Sequence, residues 1–99
     1  QLQAFWALSE IAAVRPDLIR DTPFFNLFHF LEHPDPATRG TIARLFGRIK
    51  ATEVAFQLMG LGQDNEEFTI WEDGTVQTTT VAEEAKKAVA AIHGGNKDE

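Results

Sequence analysis

A motif that returns three times, at a spacing of about forty residues, sets the main constraint on this chain. Ala7-Leu8-Ser9-Glu10-Ile11 is echoed by Leu45-Phe46-Gly47-Arg48-Ile49 and again by Ala88-Val89-Ala90-Ala91-Ile92. Each copy has an apolar pair, a small residue, a free position and then Ile. Helices that carry such a motif cannot bury their apolar faces alone and must pack on their neighbours. The period therefore predicts stacked two-helix repeats.

The apolar spacing places the helices. Phe5, Leu8, Ile11 and Ala12 predict a helix over residues 2–14, stopped by Pro16. Asp21-Thr22-Pro23 reads as a polar cap with proline at the first helical position, opening a helix with Phe24, Leu27, Phe28 and Leu31 on one stripe. Asp35 is the expected cap of the next helix and the expected partner of Arg39, with Ile42, Leu45, Phe46 and Ile49 buried. Gly40 and Gly47 lie inside that helix at a cost of about 1 kcal/mol each against Ala. Close approach of a neighbouring helix explains them, and Ala90 in the equivalent slot suggests that Ala fits at position 47. Thr52 is expected to cap a short helix through Val54, Ala55, Leu58 and Met59.

The period then changes. Residues 68–79 are rich in β-formers and carry Asp73-Gly74 at their centre. Asp-Gly suits a type I′ turn, which needs positive φ at both central residues, so a hairpin is predicted near residues 67–80. A two-residue loop pairs Glu72 with Thr75, Trp71 with Val76, Ile70 with Gln77 and Phe68 with Thr79. Thr80-Val81-Ala82-Glu83 fits a capping box for a last helix to about Ile92. Residues 94–99 read as a frayed tail.

Ninety-nine residues make a single domain spanning 1–99. The chain lacks an initiator Met and begins inside a helical pattern, which reads as a fragment of something longer. Neither a signal peptide nor an apolar run of membrane-spanning length is visible, so membrane is not expected and the cytoplasm is favoured. The net charge is −6, with the acids crowded into the last third, a surface that repels nucleic acid. Arg39, Arg44, Arg48 and Lys50 form the basic cluster, read either as the solvated back of a helix or as a patch for an acidic partner.

At HPDPATRGTIARLFGRI, residues 33–49, the sequence resembles a HEAT repeat, in particular the subgroup named after phycobilisome lyases. FWALSEIAAVRPDLI, residues 5–19, resembles the second helix of a preceding repeat. The resemblance implies an all-α, right-handed solenoid of about two and a half repeats, with the hairpin as an insertion. It also implies a non-enzymatic scaffold that binds other proteins. Some relatives are lyases or chaperones that handle bilin chromophores, and a hydroxylase branch binds iron through paired His-Glu dipeptides.

The residues themselves carry little catalytic chemistry. His29, His33 and His93 are followed by Phe30, Pro34 and Gly94, so no His-Glu dipeptide exists. Cysteine is absent, and Ser9, the only serine, occupies the small slot of the motif. Glu66-Glu67 and Glu83-Glu84 are sequence neighbours that point in different directions and read as solvated acids. No cofactor or metal is expected. Trp71 and Val76 on the hairpin, Phe5 and Trp6 on the first helix, and Arg39, Arg44 and Arg48 are the candidate contact residues. A homodimer is expected through the flank that residues 2–14 leave uncovered.

Overall fold

Proline both stops and restarts the first helical stretch. The computed structural model describes residues 2–94, so the expected frayed tail lies, beyond Gly94, outside the described residues. Helix α1 spans Leu2–Val14, the backbone breaks at Arg15, and Pro16 opens α2, Pro16–Arg20. A proline at the first helical position forfeits no hydrogen bond there. The aromatic segment that follows, Phe24–Glu32, is a 3₁₀ helix rather than the expected α-helix, and Pro23 precedes it as the capping residue. At three residues per turn, Phe24, Leu27 and Phe30 form one row and Phe28 and Leu31 the next. Phe24 and Leu31 are buried, the other three are half-buried, and Phe25 is left exposed.

Helix α3, Pro36–Arg48, begins as expected. The Ala37 amide donates to Asp35 Oδ1 at 3.3 Å and the Thr38 hydroxyl to Asp35 Oδ2 at 3.2 Å. It ends in a Schellman arrangement: Lys50 N–H donates to the Gly47 carbonyl and Ala51 N–H to the Phe46 carbonyl. Lys50 takes the left-handed conformation that closure needs, φ 52°. A 3₁₀ turn, Thr52–Val54, leads into α4, Ala55–Met59, so Thr52 does not cap that helix directly.

Strands β1, Glu67–Glu72, and β2, Thr75–Thr80, pair antiparallel in the expected register, from Glu72 with Thr75 back to Phe68 with Thr79. Asp73 (φ 54°) and Gly74 (φ 78°) both have the positive φ of the predicted turn. Helix α5, Val81–Gly94, starts at the residue after β2 with no connecting loop. Thr80 Oγ1 accepts from the Glu83 amide at 3.0 Å, and the Val81 and Ala82 amides donate to the Glu66 and Asp64 carbonyls.

These elements do not stack into the expected all-α solenoid, which is corrected to a compact mixed fold. The described residues extend 32 × 28 × 26 Å, nearly equal in every direction. Helix α3 is the axis of the fold, packed by α1, α5, the 3₁₀ segment and β1, and it is buried without interruption from Gly40 to Gly47. The hairpin is not an insertion apart from the core, since one face of β1 packs into the interior. Phe68, Ile70 and Val81 form an apolar cluster with Trp6, Ala37 and Leu61.

The sequence repeat also fails to repeat in space. Ile49 and Ile92 are 2% and 5% exposed, but Ile11 is 42% exposed. Ser9 and Gly47 are buried, whereas Ala90, in the same slot, is on the surface. A Cβ at Gly47 would lie 2.7 Å from Ala88 Cα and 2.8 Å from its Cβ, so Ala does not fit there and the small slot belongs to a backbone crossing with α5. At Gly40 a Cβ would run into the Phe68 ring, which rests directly on the helix backbone.

Candidate interaction surface

The hairpin divides its side chains by the two-residue period of a strand. Phe68 and Ile70 face inward at 7% and 5% exposure. Trp71 and Val76, directly paired across the strands, face outward at 58% and 61%. Exposed Thr69 and Thr78 continue that outer face as the next pair but one. No residue of β2 is buried, and among the described residues β2 has no further strand beside it. Free strand edges of this kind accept another chain's backbone.

The three arginines of α3 do something else. Each reaches a different neighbour and ties it to the central helix. Arg39 grips Asp64 with two bonds, Nε to Oδ2 at 2.8 Å and Nη2 to Oδ1 at 3.2 Å, and reaches Glu66 Oε1 at 2.5 Å. Its Nη1 donates to the His33 carbonyl at 2.7 Å and the Pro34 carbonyl at 3.0 Å. The expected Asp35–Arg39 pair is therefore replaced by a clamp on the segment before β1. The bond to Asp64, followed by that to Glu66, raises the Arg39 pKa above its ordinary value against the opposing effect of burial.

Arg44 lies deeper. Its Nη1 donates to Glu84 Oε1 at 3.0 Å and its Nη2 lies 3.8 Å from Glu72 Oε2, with the Trp6 ring centroid 5.6 Å from Cζ. Arg44 Nε is buried and without a hydrogen-bond partner. Glu84 is the buried carboxylate of the described chain, 1% exposed, and its other oxygen accepts from the Thr79 hydroxyl at 2.8 Å. Lys87 Nζ stands 3.7 Å from that same oxygen. Arg48 Nη1 donates to the carbonyl and hydroxyl of Ser9 at 2.8 and 3.0 Å and to Glu10 at 3.4 Å, fixing α1. A guanidinium suits this work because its planar fork makes several bonds from one buried group.

The basic cluster is thus neither a solvated helix face nor an open patch. Glu84 was legible only through helix phase: Val81, Ala85, Ala88 and Ile92 mark the buried stripe of α5, and Glu84 lies one turn before Ala88. Of the first-helix candidates, Phe5 is 6% exposed and packs its ring 4.6 Å from that of Phe30, so it offers no surface. Trp6 is half-buried beneath Arg44. Sequence reasoning passed over Phe56, 81% exposed, and named Met59 only as part of a short helix; Met59 is 56% exposed at the rim of a cleft of about 370 Å³ between α4 and α5. Helix α4 is too short for periodicity to show which face is covered.

Among the described residues no group of three or more His, Cys, Asp or Glu is placed to hold a metal ion, and no helix is long and apolar enough to cross a membrane. Comparison with protein-family models, with curated proteins and with solved structures finds no match. The likeness to HEAT repeats rests on the local motif residues alone.

Proposed function

We propose that the chain is a non-enzymatic protein-binding module whose contact surface is the outer face of the hairpin. The observation that carries this reading is the Trp71–Val76 pair, held open to water on a hairpin whose other face is anchored in the interior. Aromatic residues fixed on a rigid element lose little entropy on binding and dominate interface energies. The free edge of β2 adds backbone donors and acceptors for an extended segment. Glu67 on the outer face and Asp73 at the turn make the rim acidic, so the matching segment is apolar with basic flanks.

Replacing Thr78 with a photoreactive residue and irradiating in the source cells tests this directly. One defined adduct is expected, and Trp71→Ala should eliminate it while leaving the melting temperature unchanged. Failure to form an adduct, or an adduct indifferent to Trp71→Ala, would rule the hairpin out as the contact.

A further inference from the structure

Helix α1 is apolar on two sides. Phe5, Ser9 and Ala12 are buried against the rest of the fold. Ala4, Ala7, Ile11 and Val14 are all exposed, the last two at 42% and 77%. These four positions alternate steps of three and four, the spacing of a coiled-coil seam. Glu10 is the one charge on α1, and Arg48 already lies on it at 3.4 Å.

The order of sizes along the seam identifies its occupant. Two antiparallel copies of α1, crossing at the level of residue 9, bring Ala4 opposite Val14 and Ala7 opposite Ile11. Each large side chain then meets a small one, twice over, as a two-fold contact requires. A parallel pairing would instead set Ala on Ala and leave gaps beside stacked Ile and Val. From this self-complementarity we infer that the exposed face of α1 binds α1 of a second copy, in antiparallel orientation. The hairpin surface proposed above is separate, so this contact stands or falls independently of it.

The absence of cysteine from the sequence makes introduced thiols unique. Light scattering after size exclusion at micromolar concentration should give twice the chain mass. Ile11→Glu, and separately Val14→Glu, should weaken self-association by on the order of a hundredfold by burying an unpaired charge, with unchanged helical circular dichroism. Both sites are exposed in the single chain, so folding does not depend on them. An oxidised mixture of Ala7→Cys and Ile11→Cys proteins should yield the mixed disulfide over either self-pair. A monomeric parent, a dimer untouched by both Glu variants, or preferential Ala7→Cys self-pairing would each overturn the proposal. In the first case the seam belongs to a different protein; in the last the helices run parallel.

Discussion

Glu84 and Arg44 show how a buried charge is tolerated: each of its ionic groups finds partners on several elements at once. Glu84 takes one bond from Arg44 and one from Thr79, so removing Arg44 leaves a carboxylate with a single neutral hydrogen-bond donor and a Lys87 ammonium 3.7 Å away. Glu84→Ala should destabilise the fold by about 3 kcal/mol, because the buried Arg44 guanidinium, whose Nε already lacks a partner, then keeps only Glu72 at 3.8 Å as a counter-charge. The double variant Arg44→Met, Glu84→Leu should recover most of that loss, since neither charge remains to be desolvated. Chemical denaturation of the three proteins measures both numbers, and a double variant worse than Glu84→Ala would mean that the pair itself is stabilising. Helix phase places Glu84 on the buried stripe of α5, but its partner was not legible in the residues alone. The Arg44 and Glu84 side chains are 40 positions apart and those of Arg39 and Asp64 are 25 apart, whereas an Asp four residues from an Arg offered itself as the local partner. Asp35 was readable as a cap because a cap's acceptor and donors are sequence neighbours.

Turn and end signals stand behind the elements that could be foreseen, and long-range packing behind those that could not. The hairpin register followed from Asp73-Gly74, since a two-residue loop with positive φ at both positions leaves one pairing. The 3₁₀ form of Phe24–Glu32 did not, because its apolar stripe fits a period of three as well as one of about 3.6 and no turn or end signal separates the two. The end of α3 combines both cases. Its Schellman bonds need a left-handed residue, and the chain supplies Lys50 where Gly is the usual choice. Lys50→Gly should therefore raise stability by about 0.5–1 kcal/mol. The lost bond from Lys50 Nζ to the Ala91 carbonyl, long at 3.2 Å and exposed, offsets little of it. Thermal denaturation of Lys50→Gly beside Lys50→Ala is the check, and an equal result for both would show that backbone strain at this position is negligible.

The whole molecule is a helix wrapped on every side, and the misleading sign was a repeat that survives in sequence while its copies occupy unlike environments. Acid should loosen the wrapping in a definite direction. Glu53, held by its own backbone amide and by Arg20, has its carboxyl below the ordinary value of 4.5. A depressed carboxylate contributes stability above its unfolded value and loses it as pH falls through the folded one. Glu53→Gln should thus be slightly less stable than the parent at neutral pH, by the small amount an exposed pair contributes, and indistinguishable from it below the folded value. Melting temperatures across that range decide it, and a constant gap at all pH values would assign the loss to the Gln side chain. The direct passage of β2 into α5 has a mechanical consequence. With no loop at Thr80 to absorb rotation, the hairpin and α5 form one lever, and the Glu72–Arg44–Glu84 contact lies at its fulcrum. Load placed on the tip is delivered one helical turn further along, to the Gly47–Ala88 crossing, where two backbones already touch and any tilt must move α3 as well.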